Sequence, residues 1–381
     1  MKLQNNSNQQ IILFLIDQFW SGKGGSEQNL LWLLKKLPQE LFITKIVVFS
    51  NVLSCGLEKF PVEPIIFGRI FGQGLFKFKK RFFALVMYIK THGVDVVHAF
   101  TIRDELLGVL ACWIAGRGAV CGHRRNLGYS LTFWKILASK IVQLFKIKYI
   151  ANSNAAKLAS CQKEGIDPGC IDVIYNPVFL ERAQSGFNKI RTKEFFGVPK
   201  DAYLIGMVAT VKTIKGYEAL LYAAKKVIKK IPNVYFLSIG EQQDVCLRNL
   251  KNLADDLQIN DFIIWYGGVD NPFEALFCFD VAVLSSTTES FSNAVLEYAI
   301  AGKAIVATDV GGMKEIITDG ESGFLVPPNC PEVLADRIIE LLENPEKRKM
   351  FADKAQNYVL RKFSEDEILK KYIDFYSKLT Y

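Results

Sequence analysis

The sequence contains few of the residues that bind metals in proteins. It has only three histidines, and its eight cysteines include no Cys-x-x-Cys pair and no Cys/His spacing that suits zinc. It also contains no His-Glu-x-x-His sequence and no Asp-x-Asp sequence that would hold a divalent ion against a diphosphate. We therefore expect no metal site. Scattered cysteines without pairing motifs are typical of a reduced, cytosolic chain.

Long apolar runs are also missing. The longest, at 82–89 and 106–116, are shorter than the roughly 20 residues that a membrane-spanning helix needs. The first ten residues are polar and contain a single charge, which is not the pattern of a signal peptide. We therefore expect a cytoplasmic protein without a membrane span. The sequence lacks a Gly-x-Gly-x-x-Gly loop as well, which argues against a nicotinamide-dependent oxidoreductase.

Short apolar runs alternate with helical patterns along most of the chain. Strands are predicted at 11–17, 45–50, 95–100, 118–123 and 148–153, and again at 203–209, 234–240, 261–267, 280–286 and 303–309. Strands separated by helices form right-handed βαβ units and a parallel sheet. The pattern restarts after a polar passage at 180–200. It predicts two doubly wound α/β domains, 1–180 and 181–363, and a last helix at 364–381 that crosses back to the first domain. The expected site is the cleft between them, at the carboxyl ends of the strands.

Positive charge is concentrated in the first half of the chain. Residues 66–150 contain 14 Lys and Arg against 3 Asp and Glu, which indicates an anionic partner. No nucleic-acid-binding motif is present, so we expect no nucleic acid. In 74–90, four phenylalanines alternate with Lys and Arg, as in helices that lie on an anionic membrane. We predict peripheral membrane contact through 74–90. The alternative is a helix packed on its own sheet with a solvated basic face.

A group of polar residues follows the predicted strand at 280–286. Glu289 lies in the loop at the carboxyl end of this strand. Phe291, Ser292 and Asn293 begin the next helix, where backbone N–H groups can bind an anion such as a diphosphate. Glu297 lies about one turn further along, where a carboxylate can accept hydrogen bonds from both hydroxyls of a ribose. The alternative is an ordinary helix cap with two solvated glutamates.

Two lysines follow the first predicted strand of the second half. Lys212 and Lys215 lie at the carboxyl end of 203–209, where two cations can neutralise a leaving diphosphate. An exposed lysine pair is the alternative. Gly240, at the end of the following strand, is placed to border a nucleoside base.

These residues together resemble a known family. The Glu289-x7-Glu297 pair, with VATVKTIKG, IANSNAAK, VIYNPV, GGSEQNL and TDVGGMKEII, resembles the retaining glycosyltransferases of family 4 (glycosyl transferases group 1), which have the two-Rossmann GT-B fold. The resemblance runs from about residue 11 to the C-terminus. It implies that Glu289 contacts the transferred sugar, that Glu297 binds the ribose, and that Lys212 and Lys215 bind the diphosphate. Thr210 stands where the family most commonly has an arginine, and lysine lacks the bidentate fork of arginine.

The resemblance extends to the first half. Gly24 and Gly25 in GKGGSEQ match a Gly-Gly-x-Glu loop whose backbone N–H groups approach the donor phosphates or the acceptor. His123 ends a predicted strand at the position where many relatives place a histidine near the transferred sugar, so a catalytic role is implied for it. The alternative for Gly24 and Gly25 is a turn before a capped helix. The alternative for His123 is a structural histidine in the core.

Three further residues are predicted to bind the acceptor. His98 ends another predicted strand, and Arg124 and Arg125 present planar donors that suit a phosphate or a carboxylate. A strand-end histidine with a structural role is the alternative for His98.

The predicted function is transfer of a sugar from a nucleotide-sugar, UDP-linked in most of the family, to a lipid-linked or polysaccharide acceptor. The resemblance implies retention of the anomeric configuration. We expect no metal and no other cofactor, and no double displacement, because no second carboxylate is placed as a nucleophile. We expect the protein at the inner face of the plasma membrane. The alternatives are a GT-B sugar-nucleotide epimerase and a non-catalytic GT-B protein that only binds a donor.

Overall fold

The chain forms two compact units in the computed structural model, which describes residues 9–19, 25–52, 60–71, 75–129 and 131–379. Unit 1 consists of residues 1–176 together with 366–381, and unit 2 consists of residues 177–365. The boundaries expected from the sequence, after residues 180 and 363, differ from these by four and two residues.

The described part of unit 1 contains one parallel sheet of seven strands in the order β3-β2-β1-β4-β5-β6-β7. The strands are β1 Gln10–Phe19, β2 Phe42–Val52, β3 Ile65–Ile66, β4 Val96–Ala99, β5 Ala119–Arg124, β6 Lys148–Ala151 and β7 Ile171–Val173. The helices between them are α1 Gly25–Lys36, α2 Phe67–Phe71, α3 Leu75–Thr91, α4 Ile102–Ala115, α5 Phe133–Gln143 and α6 Asn154–Glu164. Continuous apolar runs form these strands because central parallel strands are buried on both faces, as β4 is at every position.

Unit 2 contains a second parallel sheet, whose six strands have the order β10-β9-β8-β11-β12-β13 among the described residues. The strands are β8 Tyr203–Val208, β9 Val234–Ile239, β10 Ile263–Gly267, β11 Val281–Leu284, β12 Ala304–Thr308 and β13 Phe324–Val326. The helices are α7 Leu180–Phe187, α8 Tyr217–Lys230, α9 Asp244–Asp256, α10 Phe273–Leu276, α11 Asn293–Ile300, α12 Pro331–Glu343 and α13 Pro345–Lys362.

The last helix, α14 Glu365–Ser377, carries most of its residues into unit 1. Tyr372 and Tyr376 are fully buried there, and their rings pack against Trp32 and Phe42 with centroids about 6 Å apart, at 6.1 and 5.9 Å. This C-terminal segment therefore supplies part of the core of unit 1.

Both sheets are doubly wound, so each has a point where the strand order reverses. This point lies between β1 and β4 in unit 1 and between β8 and β11 in unit 2. The loops that follow these strands diverge at the carboxyl edge and leave a crevice in which ligands of such sheets bind. The two predicted α/β domains are confirmed. The short strands β3, β7 and β13 were not predicted, because runs of two or three residues show no periodicity.

Candidate active site

The loops after β8 and β11 meet at the switch point of unit 2. Lys215 ends a short 3-10 turn, Thr213–Lys215, and Gly216 follows it with a φ of 67°. A Cβ at Gly216 would lie 1.9 Å from the carbonyl oxygen of Ser285, which follows β11. Glycine is required here both for the left-handed backbone and for this close approach. It allows the two loops to pack directly together.

The close approach of the loops brings two predicted residues into contact. Lys215 Nζ donates a hydrogen bond to Glu289 Oε1, and Ser286 Oγ donates to the same oxygen at 3.0 Å. Both charged side chains are partly buried, which strengthens the attraction between them relative to a pair in water. The switch point thus holds a cation and a carboxylate side by side.

The other predicted residues of the loop after β8 have different environments. Lys212 is exposed, and its backbone carbonyl accepts a hydrogen bond from Lys215 N at 2.9 Å. Thr210 is half-buried. A Cβ at Gly240 would lie 2.1 Å from the carbonyl oxygen of Ala209, so this glycine allows the ends of β8 and β9 to pack closely. That packing accounts for a glycine at this position, and its predicted place beside a nucleoside base stays a prediction.

The start of α11 is fixed by its own side chains. Ser292 Oγ accepts a hydrogen bond from Val295 N at 3.4 Å, the arrangement of an N-cap. The Phe291 ring is buried against Phe363, with centroids 5.4 Å apart, so its side chain packs in the core of unit 2. Asn293 is the first residue of α11 and is half-buried.

Glu297 forms an ion pair that the sequence did not predict. Arg182 Nη1 of α7 lies 2.9 Å from Glu297 Oε1. Burial raises the pKa of Glu297, and the Arg182 guanidinium opposes that shift. Arg182 lies in the polar passage 180–200, where no periodic pattern marks it as a partner of α11. Only the packing of α7 against α11 brings the two residues together.

The two strand-end histidines of unit 1 are joined in one buried chain of hydrogen bonds. Tyr376 Oη of α14 lies 2.7 Å from His98 Nδ1, and His98 Nε2 lies 3.3 Å from His123 Nδ1. The rings of His98 and His123 stack with centroids 5.2 Å apart. The remaining nitrogen of His123, Nε2, is buried and has no hydrogen-bond partner among the described residues.

We expect the free energy of unfolding to fall as the pH is lowered from 7.5 to 5.0, because both histidines are neutral in the folded protein. Burial, aided by Arg125, lowers the pKa of His98 to about 3 and that of His123 well below its ordinary value. The unfolded chain titrates near pH 6.5, so below that pH it binds more protons than the folded chain. The contribution of the neutral histidines to the free energy of unfolding is fully present above pH 6.5 and decreases as the pH falls below it. At pH 5.0 each histidine should lower the free energy of unfolding by about 2 kcal/mol.

Urea unfolding at the two pH values measures this effect. His98→Gln should reduce the difference in unfolding free energy between pH 7.5 and 5.0. His92→Gln is the matched control, because His92 is exposed and the substitution changes the histidine count equally. An unchanged pH dependence in His98→Gln would contradict the assignment of His98 as a buried neutral group.

Arg124 is placed differently from its prediction as an acceptor ligand. It is only 6% exposed, and its guanidinium donates to two buried carboxylates, Glu105 and Glu164. Nε and Nη2 donate to Glu164 at 2.8 Å each, Nη2 also donates to Glu105 Oε2 at 3.1 Å, and Nη1 donates to Glu105 Oε1. These contacts join β5, α4 and α6. Because they bury the guanidinium inside unit 1, they argue against a contact between Arg124 and an acceptor. Successive residues of a strand point to opposite faces, which separates Arg124 from its neighbour His123.

Arg125 follows β5 and connects parts of unit 1. Its Nη2 donates to Asn176 Oδ1 at 2.8 Å and to the carbonyl oxygen of Gly25 at 3.1 Å. Burial lowers the pKa of Arg125 to about 10, which leaves it charged at neutral pH. Gly25 is the first residue of α1, and Gly24 lies outside the described residues.

Within the described ranges, no cluster of three His, Cys, Asp or Glu side chains could hold a metal ion. No helix in those same ranges is both long enough and apolar enough to cross a membrane.

Two family models match the chain in succession. The one described as Glycosyltransferase Family 4 matches residues 30–182, and the one described as Glycosyl transferases group 1 matches residues 188–358. The two matches fall on the two halves of the sequence and together cover most of it.

Curated proteins and solved structures are similar to the chain as well. N-acetyl-alpha-D-glucosaminyl L-malate synthase of Bacillus anthracis is 25% identical over 206 residues, which are 54% of this chain and 53% of that protein. UDP-Gal:alpha-D-GlcNAc-diphosphoundecaprenol alpha-1,3-galactosyltransferase of Escherichia coli is 24% identical over 314 residues, 79% of this chain and 80% of that protein. The matched region thus spans about half the length of the first of these relatives. Alr3699/HepE of Anabaena, solved with UDP and glucose, has a TM-score of 0.83 at 22% identity over 97% of this chain and 100% of that chain.

Proposed function

Because the chain belongs to the glycosyl transferases group 1 and has the GT-B fold, we propose that it transfers a sugar from a UDP-linked donor to a lipid-linked or polysaccharide acceptor. The contact of Lys215 with Glu289 at the switch point of unit 2 carries this proposal. A diphosphate needs a cation and a sugar needs a hydrogen-bond acceptor, and the donor presents both groups next to each other. The names of two similar proteins, one solved with UDP and one acting with UDP-Gal, support the choice of UDP.

Each residue of the site has a distinct role in the proposal. Lys215 stabilises the negative charge that develops on the diphosphate, a contribution that grows in a site sheltered from water. The Glu289 carboxylate accepts hydrogen bonds from hydroxyls of the transferred sugar. Glu297 accepts those of the ribose, and Arg182 favours its ionised form and orients it. Lys212 adds a second positive charge at the exposed side of the diphosphate.

The proposed reaction breaks the bond between C1 of the sugar and the diphosphate oxygen. The acceptor oxygen forms a new bond to C1 on the same face, so the anomeric configuration is retained, and the acceptor proton passes to the departing diphosphate. His123 contributes a neutral imidazole, whose Nε2 hydrogen-bonds to the sugar or the acceptor. The lysines supply the positive charge that a divalent ion would otherwise provide, and we therefore propose a reaction without a metal.

The proposed acceptor is bound at the cytoplasmic face of the membrane. The diphosphoundecaprenol acceptor in the name of the Escherichia coli relative supports a lipid-linked substrate. Peripheral membrane contact is part of the proposal. The sequence predicts this contact through 74–90, where α3 exposes Phe83 and Met87 beside Lys79 and Lys80.

Thermal unfolding with a panel of nucleotides tests the donor site. We expect UDP and UDP-sugars to raise the melting temperature with or without EDTA, and GDP to have a smaller effect. A ligand that binds only the folded state at 100 times its dissociation constant stabilises it by about 2.7 kcal/mol. Glu297→Gln should weaken UDP binding at least about tenfold, because hydrogen bonds to a charged acceptor contribute about 1.5–3 kcal/mol.

A glutamate outside the site serves as the control. Glu332→Gln replaces a side chain on α12 that is 75% exposed, and it should bind UDP as the wild type does. Equal weakening in both variants, or no shift of the wild type by any nucleotide, would contradict the proposed site and favour a protein that has lost donor binding. Conversion of a nucleotide-sugar without any acceptor into its epimer would instead identify an epimerase.

A further inference from the structure

Helix α5 and the turn after it expose a stripe of large apolar side chains. Phe133, Trp134, Leu137, Ile141, Leu144 and Phe145 are each between 39% and 79% exposed, and we refer to them as the α5 stripe. At 100° per residue they fall within one third of the helix circumference. The fully buried Ser139 and Val142 lie on the other side and hold α5 against unit 1. The helix therefore has one face that the protein covers and a broad apolar face that it leaves exposed.

The stripe lies in a segment with only positive charge. Residues 126–163 contain six lysines and no Arg, Asp or Glu. Lys135, Lys140 and Lys146 are exposed on α5 and in the turn after it. Aromatic side chains on one face with lysines at its border are the composition of helices that lie in an anionic membrane interface.

The α4 helix, which packs against α5, has similar exposed residues. Trp113 and Ile114 near its C-terminal end are both more than half exposed. Large exposed apolar patches on a folded protein mark interaction surfaces, because contact of apolar side chains with water is unfavourable and burial against a partner removes it.

The segment 74–90 is less suited to this contact than its composition indicates. Arg81 is buried, donates to the carbonyl oxygen of Phe49 at 3.3 Å, and lies 5.0 Å from the ring centroid of Phe49. Among the side chains of α3 that the structure describes, the large apolar ones that are exposed are Phe83 and Met87. Part of the basic and aromatic content of 74–90 therefore belongs to the core of unit 1.

We propose that the α5 stripe is the surface by which this protein docks onto an anionic lipid bilayer. The aromatic and aliphatic side chains enter the boundary between headgroups and acyl chains, and the surrounding lysines face the acidic headgroups. This inference deepens the peripheral membrane contact of the proposed function and rests on it, but it moves that contact from 74–90 to α5.

Charge favours a membrane over a second copy of the chain. A twofold dimer through this stripe would place the same surface against itself, so lysines would face lysines. No carboxylate within 126–163 would be available to pair with them. An anionic bilayer satisfies the apolar and the charged parts of the surface together.

Flotation with lipid vesicles tests this docking. The purified chain should bind vesicles of phosphatidylcholine mixed with anionic phosphatidylglycerol and should bind pure phosphatidylcholine much more weakly. Phe133→Ser/Trp134→Ser should reduce partitioning to the anionic vesicles at least about tenfold, since two interfacial aromatics are removed. Phe83→Ser/Met87→Ser is the matched control on α3 and should partition as the wild type does. All four positions are exposed, so neither variant loses core packing.

The outcomes separate this inference from the proposed function. Normal partitioning of the α5 variant with loss in the α3 variant would overturn the inference and return the contact to 74–90. Failure of the wild type to bind anionic vesicles would overturn the membrane contact altogether, while UDP stabilisation in the same preparations reports the donor site independently. A wild type that is dimeric in sedimentation, and an α5 variant that is monomeric, would assign the stripe to self-association and overturn membrane docking.

Discussion

We expect Lys215→Ala to lower kcat by about 10²- to 10³-fold, because it removes the positive charge that would stabilise the leaving diphosphate. Lys215 contacts Glu289 at the point where β8 and β11 diverge, and Gly216 allows the loop to approach Ser285 so closely that this position is fixed. The charge that Lys215 neutralises is larger in the transition state than in the bound donor, so kcat should fall more than the affinity for UDP. Release of UDP from a UDP-sugar, measured at saturating donor, gives the rate.

Lys212→Ala is the comparison within the same loop. Lys212 is exposed, so its charge is screened by water and its loss should have a smaller effect on kcat. Lys215→Arg keeps the charge and should retain part of the activity. If Lys215→Ala keeps the wild-type kcat, or if Lys212→Ala is the more damaging variant, the proposed role of Lys215 is wrong.

We expect Arg124→Leu to lower the free energy of unfolding by about 3–5 kcal/mol, since it leaves two buried carboxylates without a counter-charge. Glu105 is fully buried and Glu164 nearly so, and both depend on the Arg124 guanidinium. Burial raises the pKa of Glu105, and Arg124 opposes that shift. Chemical unfolding followed by circular dichroism measures the loss. Arg103→Leu, which removes an ion pair with Asp17 in which the arginine is half exposed, should cost about 1 kcal/mol or less.

A rescue experiment distinguishes charge from packing in this network. Adding Glu105→Gln and Glu164→Gln to Arg124→Leu removes the uncompensated charges and should restore part of the lost stability. No recovery in the triple variant would show that the packing of Arg124 on the Tyr149 ring, 4.7 Å from its centroid, matters more than its charge. Retention of wild-type stability by Arg124→Leu alone would show that the two buried carboxylates do not depend on the Arg124 charge.

Several residues of the candidate site could be identified from the sequence because they lie at the carboxyl ends of predictable strands. Apolar runs such as 203–209 and 280–286 identify β8 and β11, and the residues that follow them must lie at one edge of a parallel sheet. Lys215 and Glu289 are 74 residues apart in sequence, yet the same reasoning places them near each other. Their direct contact additionally required the close approach at Gly216.

Other roles could not be assigned from local pattern. Arg124 and Arg125 are adjacent and identical in type, but one is buried between two carboxylates while the other joins Asn176 to Gly25. The pair of Arg182 with Glu297 spans 115 residues. In each case the partner is chosen by which helices pack together, and no spacing along the chain reports it.

The sequence by itself determined the two α/β units, most of their strands and the position of the Glu289-x7-Glu297 pair, because hydrophobic periodicity acts between residues close along the chain. The tertiary structure decided which polar groups became buried and which apolar groups remained exposed. It placed Arg81 and Arg124 inside unit 1, connected His98 to Tyr376 of the last helix, and left the α5 stripe open to solvent. Burial and ion pairing depend on contacts between segments far apart in sequence, and those contacts exist only once the elements have packed.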